Sequence, residues 1–145
     1  MNLTNCDFAS NTAASKGGAI CGEGGTLNVT NCDFEKNVSN DEGGACRLAA
    51  GITANIKGCT FKENVAKNVG GGAIKFHGNT LTLDGCTFTG NTATKGDANG
   101  HDIKLSTTTT KPTMRNSTFN PSKVRDSAGT ANAYNDGGGN TLVTQ

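Results

Sequence analysis

Four phenylalanines, Phe8, Phe34, Phe61 and Phe88, fall 26, 27 and 27 residues apart, and each opens the same pattern, F-x-x-N, closed by Asn11, Asn37, Asn64 and Asn91. A cysteine stands two residues before each one, at Cys6, Cys32, Cys59 and Cys86. Behind the first three copies comes a second pattern: Gly17-Gly18-Ala19-Ile20, Gly43-Gly44-Ala45-Cys46 and Gly71-Gly72-Ala73-Ile74. A fixed period of this length, with short strand-like units in each copy, means a solenoid whose copies bury their apolar faces only against one another.

Within each copy the apolar residues alternate, as in a strand with one buried face. The inward set reads Leu3, Cys6, Phe8; then Leu27, Val29, Cys32, Phe34; then Ala54, Ile56, Cys59, Phe61; then Leu81, Leu83, Cys86, Phe88. A degenerate fifth copy follows at Met114, Ser117 and Phe119. The three-residue step between Val29 and Cys32 breaks the alternation and predicts a bend there. After the glycines, Ile20, Cys46, Ile74 and Ile103 share one inward position, and Gly22, Leu48, Phe76 and Leu105 the next. Between them Cys21, Arg47, Lys75 and Lys104 point outward.

Each coil therefore has two clear strands and a third around the F-x-x-N turn. Equivalent strands of successive coils pair in parallel at roughly 4.8 Å. The predicted fold is all-β: a right-handed, single-stranded parallel β-helix of about 4–5 coils of ~27 residues, right-handed by the chirality of parallel crossovers. A leucine-rich repeat lacks support, because its consensus leucines and any helical period are missing. Residues 1–119 are read as the repeats, with a loop insertion at 106–112. Residues 120–138 are polar and Gly-rich and read as a loop or disordered segment; 139–145 read as the start of a further coil. The chain begins and ends inside a repeat and has no signal-peptide pattern at Met1–Cys6, which reads as a fragment of a longer protein.

Hydrophobic residues make up only 33% of the chain, yet they recur at fixed places, so a narrow stacked core needs few of them. The 13 basic and 12 acidic side chains nearly cancel, which gives no pull toward nucleic acid or an anionic membrane. No apolar stretch is long enough for a membrane helix.

Stacking assigns structural roles to the repeated residues. Phe8, Phe34, Phe61 and Phe88 form an aromatic column in the core, and Asn11, Asn37, Asn64 and Asn91 an amide ladder at a corner. Gly17, Gly18, Gly43, Gly44, Gly71 and Gly72 serve corners, where positive φ or close backbone approach is needed. Cys6, Cys32, Cys59 and Cys86 share one inward slot and read as free buried thiols, as does Cys46, because in-register side chains seldom reach disulfide torsions. Cys21 faces outward. A row of sulfurs is not a tetrahedron, so no metal site is expected, and no cofactor is implied.

The alternating G-G-A-(Ile/Leu/Val) and F-x-x-N motifs resemble the polymorphic outer-membrane protein repeat, over residues 1 to about 105. In that family such repeats build the surface-exposed passenger β-helix of autotransporters, and the paired motifs are associated with adhesion to host cells. The motif maps onto Phe8, Asn11, Gly17, Gly18, Ala19 and Ile20 in the first copy, and onto the equivalent residues in the others, through Ala73 and Ile74. The fourth glycine motif departs from the pattern as Gly100-His101-Asp102-Ile103. The resemblance implies a cell-surface, outer-membrane or extracellular protein whose partner is a host or neighbouring cell-surface protein or glycan, with self-association among its expectations.

A non-catalytic, adhesin-like module is accordingly the leading functional expectation, with Arg47, Lys75 and Lys104 or the Thr107–Pro112 loop as its contact surface. The alternative is a fragment of a polysaccharide-degrading lyase or glycoside hydrolase. Its carboxylates would be Asp7 and Asp33, which share one outward position one rung apart. His77 and His101 read as corner residues without partners. An ice-binding face on the row Asn2, Asn28, Asn55, Thr82 and Thr113 is disfavoured by three charges in the row beside it, Lys57, Asp84 and Arg115.

Overall fold

The computed structural model describes residues 1–106 and 110–144; part of the expected loop insertion, at 107–109, lies outside the described residues. All pairing between strands is parallel, in four sheets that run along the length of a solenoid. One full coil shows how. Gly25–Thr30 lies in the first sheet, Asp33–Glu35 in the second, Val38–Ser39 in the third and Cys46–Leu48 in the fourth; Ile52–Lys57 then returns to the first. A coil thus has four strands rather than the expected two or three, because the sequence run from Leu27 to Phe34 is cut at the predicted bend. Its hinge residues, Asn5, Asn31, Gly58, Gly85 and Asn116, all have φ between 49° and 65°. Asparagine and glycine tolerate this left-handed region best.

The second bend explains the spacing of F-x-x-N. The residue just before each asparagine, Ser10, Lys36, Glu63 or Gly90, is left-handed, with φ from 54° to 66°. That turn carries the chain from the second sheet to the third and points the asparagine inward. Asn37, Asn64 and Asn91 are buried. Asn64 uses every bonding position of its amide. Its Oδ1 accepts from the backbone N–H and Nδ2 of Asn37, both at 3.0 Å. Its Nδ2 donates to the Phe34 carbonyl at 2.9 Å and to Asn91 Oδ1 at 3.0 Å. Inside the solenoid the phenylalanine rings stack nearly parallel, at 4.9, 4.8 and 4.9 Å with interplanar angles of 4°, 3° and 7°. That spacing is the repeat of the strands, so the backbone ladder sets the ring separation.

The two glycines of G-G-A do different work. Gly17, Gly43, Gly71 and Gly100 have φ from 60° to 69° and make the turn into the fourth sheet. Gly18, Gly44 and Gly72 sit where a Cβ would overlap the next coil's backbone, at the carbonyls of Gly44, Gly72 and His101 respectively. All six cysteines are free thiols. The inward ones form a ladder in which the backbone N–H of Cys6 and of Cys32 donates to the sulfur of the next rung, at 3.4 Å each. Ser117 takes the fifth place in that ladder, accepting from the Cys86 N–H at 3.0 Å.

Beyond Phe119 the chain still contributes to the coil. Val124–Arg125 is the fifth strand of the fourth sheet, and Asn135–Asp136 and Thr141–Leu142 are the sixth strands of the first and second. The segment 120–138, read from its polarity as a loop, therefore carries two strands and supplies Val124, Ala133 and Tyr134 to the core. Tyr134 meets Phe119 edge to face, with centroids 4.9 Å apart and planes at 88°.

Candidate functional site

The expected basic surface lies on the fourth sheet, where Cys21, Arg47, Lys75, Lys104 and Arg125 stand in register on successive rungs. They point away from the core, as parity requires, but the row is not an open surface. Lys75 is 4% exposed and Lys104 6%. The reason is the segments that flank the fourth-sheet strands, both the corner before them and the chain after them, which lean over the row. Lys104 Nζ donates to the carbonyls of Ala98 at 2.6 Å and Ser127 at 3.4 Å. Arg47 is held by Glu42 at 3.3 Å and Glu23 at 3.2 Å. The Lys75 ammonium makes no hydrogen bond or ion pair among the described residues, and burial lowers its pKa to about 8. Read as a contact surface, the row of Arg47, Lys75 and Lys104 is corrected to a covered charge ladder.

The histidines are likewise partnered. Ser106 Oγ and His77 Nδ1 are 2.7 Å apart, and His77 Nε2 lies 3.4 Å from Glu42. His101 Nδ1 accepts from the Ala93 backbone N–H at 3.0 Å, so its proton is on Nε2, which donates to Asp97 Oδ1 at 2.7 Å. Sequence parity could place these residues at corners but not show what long-range segments come to meet them.

On the second sheet Asp7 and Asp33 are register partners and line a shallow hollow of about 280 Å³ with Glu35, Thr60 and Lys62. Lys62 and Lys36 both bind Glu35, at 3.1 and 3.2 Å, and hold its carboxyl below the usual range. The hollow is thus the outer face of three neighbouring strands, in which lysines engage Glu35 while Asp7 and Asp33 make no ion pair among the described residues.

A second cavity of about 280 Å³ has a more specific origin. It lies at the F-x-x-N corner of the fifth copy, between Gly90, Asn91 and Thr92 on one side and Ser122, Lys123 and Arg125 on the other. The pattern predicts a left-handed residue at position 121, aligned with Gly90. That residue is Pro121, whose ring locks φ near −65°. The corner cannot form. The chain instead makes a short 3-10 turn, Pro121–Lys123, capped by Asn120 accepting from the Ser122 N–H at 2.9 Å, and runs directly into the fourth sheet. The third sheet therefore has four strands where the first and second have six. The cavity occupies the place of the missing strand.

Two residues adapt to that gap. His101 stands at the second-glycine position, which needs glycine only where another third-sheet corner follows. Asp102 stands where the motif has alanine, and its Oδ1 accepts from Asn91 Nδ2 at 3.0 Å, replacing the absent asparagine of the next coil. Burial pushes the Asp102 carboxyl up to about 6, against the opposing influence of the Asn91 hydrogen bond and the Lys123 charge. Asp97, at the mouth, is held low first by its bond from His101 and also by the nearby charges of Arg125 and Lys123. The Lys123 ammonium makes no hydrogen bond or ion pair among the described residues. Arg125 donates Nη1 to the Gly129 carbonyl at 2.9 Å, while its buried Nε has no partner. Among the described residues no cluster of His, Cys, Asp and Glu is arranged to hold a metal ion.

A family model described as the right-handed β-helix region matches residues 1–119. No curated protein and no solved structure matches the chain.

Proposed function

The chain belongs to the right-handed β-helix family, and on that premise we propose that it is a non-catalytic, adhesin-like binding module of the polymorphic outer-membrane protein type. It would be displayed at a cell surface, on the outer membrane or outside the cell, and would meet a host or neighbouring cell-surface protein or glycan. The observation that carries this reading is the division of labour within the repeat. The phenylalanines and asparagines of F-x-x-N and the glycines of G-G-A are consumed by core, ladder and corner. What varies from coil to coil is the outward side chain.

Because flanking segments cover the basic row, the contact surface in this proposal is the outer face of the first and second sheets. On the first, Asn2, Asn28 and Asn55 form an outward amide row bonded at 2.8 and 3.0 Å, and on the second Lys62 binds Glu35. The test is binding of the purified chain to cultured host or neighbouring cells, compared with a variant carrying Asn28→Asp, Asn55→Asp and Lys62→Glu. Loss of binding with an unchanged melting curve supports the reading; equal binding by both, or by neither, removes it.

One observation favours a second reading, a polysaccharide-degrading enzyme: Asp7 and Asp33 line a common hollow with a third acid, Glu35. If the chain depolymerises an acidic or neutral glycan, Asp33→Asn must abolish that activity.

A further inference from the structure

We propose that the cavity at the fifth F-x-x-N corner is a binding site for a small organic carboxylate, held by Lys123 and by the free edge of the Arg125 guanidinium. The site arises because Pro121 cannot make the turn, which removes a strand and leaves a space of about 280 Å³ walled by Gly90, Thr92, Asp97, His101, Ser122 and their neighbours.

Neither of its two cations forms an ion pair with the acids around it among the described residues. Lys123 Nζ has no partner among the described residues. Asp97 spends its Oδ1 on His101 and forms no ion pair with either Lys123 or Arg125. The guanidinium of Arg125 is fixed on one side, with Nη1 on the Gly129 carbonyl, and its Nε–H is buried with no acceptor. In a guanidinium, Nε–H and the adjacent Nη2–H point the same way and match the two oxygens of a carboxylate. Nε is closed off in the unliganded chain, so an acceptor satisfies this unmet donor only as the Arg125 side chain shifts toward the cavity.

Charge selects among oxyanions. Lys123 and Arg125 bring two positive charges to the cavity wall, offset in part by Asp97 at its mouth and by the Asp102 carboxyl near Lys123. Beside those two acids a monoanionic carboxylate is repelled less than a dianionic phosphate. The remaining wall is polar without an aromatic platform; the hydroxyls of Thr92 and Ser122 donate to the Gly90 carbonyl and Asn120 Oδ1, and their oxygens can accept from a hydroxylated ligand body. The inference does not rest on adhesion, and either can fail without the other.

The test is a titration of the 15N-labelled chain at pH 7 and constant ionic strength with sodium acetate, sodium glucuronate and sodium phosphate, read at the backbone amides. Saturable shifts at Gly90, Thr92, Lys123 and Arg125 are expected with both carboxylates. Tighter binding of glucuronate than acetate identifies the acid of a saccharide, and equal binding identifies the carboxylate alone; both support the site. Lys123→Ala should weaken binding by about tenfold, since a charge-assisted contact is lost. Arg125→Lys, which keeps the charge but not the fork, should weaken it too, and Asp97→Asn should tighten it a few-fold. Absence of saturable shifts at these amides overturns the proposal. So does phosphate binding as well as the carboxylates, or unchanged affinity in Lys123→Ala with the fold intact.

Discussion

Gly72 lies against the backbone carbonyl of His101 on the next coil, so closely that a Cβ at Gly72 would fall well inside van der Waals distance of that oxygen and of the Thr92 backbone. The φ of Gly72 is not in the left-handed region, so its requirement for glycine comes from the packing of coil on coil.

Gly72→Ala should therefore be costly even though alanine suits its backbone angles. Overpacking against backbone, which cannot rotate away, predicts a loss of about 3 kcal/mol, at the upper end for such changes. Gly24→Ala is the control, because its Cβ would meet only the Ala50 carbonyl at 4.0 Å. Urea denaturation of both variants decides the point: equal midpoints would mean that the coils do not close as tightly as described.

Asn64→Ala removes an amide that is bonded at all four positions and leaves the Asn37 amide, the Phe34 carbonyl and Asn91 Oδ1 short of partners. Each orphaned buried group costs about 1–3 kcal/mol, so a loss of at least about 3 kcal/mol is expected. Asn11→Ala, at the exposed end of the same ladder, should cost about 1 kcal/mol. Similar losses at the two positions would contradict a buried ladder.

Lys75 gives the opposite sign. Its ammonium is buried without a partner, and replacing it by methionine should stabilise the chain at pH 7 by about 1–3 kcal/mol. Its folded pKa, near 8, is below the ordinary 10.5. The stability tied to its neutral form is therefore absent at pH 7 and returns as pH rises from about 8 toward 10.5. Relative to Lys75→Met, the wild-type chain should gain stability between pH 8 and 10 in parallel denaturation curves. A constant difference would show that Lys75 is solvated.

Asp102 titrates near 6 in the folded chain against 3.8 ordinarily. A raised acid contributes stability that is complete below 3.8 and is lost as pH climbs through 6. Asp102→Asn keeps the oxygen that accepts from Asn91 and removes the buried charge. The two chains should match near pH 4, and the variant should be more stable by about 3 kcal/mol at pH 7, given ~1.4 kcal/mol per pKa unit. Identical pH profiles would sink this account.

How much of this was legible beforehand follows from what each residue depends on. The inward columns of Phe34, Phe61, Ile56 and Leu83 could be read directly, because period and parity alone decide which face a strand residue takes. Parity also turned Lys75 outward, correctly, but it carries no information about the flanking segments that lie across it. Those are placed by the lengths of the connections and by contacts such as Lys104 to Ser127, which are 23 residues apart. The cavity was partly written in the chain: Pro121 stands at a position that every earlier coil turns with a left-handed residue. Recognising the conflict required knowing that the residue before the asparagine is the one that turns. For His77 and His101 no local pattern foretold Ser106 or Asp97 as partners.

The asparagine ladder also has a direction. Every side-chain N–H that passes from one asparagine to the next, from Asn11 to Asn37, Asn64 and Asn91, points toward the C-terminal end, and every accepting amide oxygen points back. The amides are aligned dipoles in series, with partial positive charge gathering at Asn91, and it is there that the carboxylate of Asp102 accepts the last donor. Down one edge of an otherwise non-polar sheet architecture runs a small macrodipole with its anion in place at the positive pole, as acidic residues stand at the start of an α-helix.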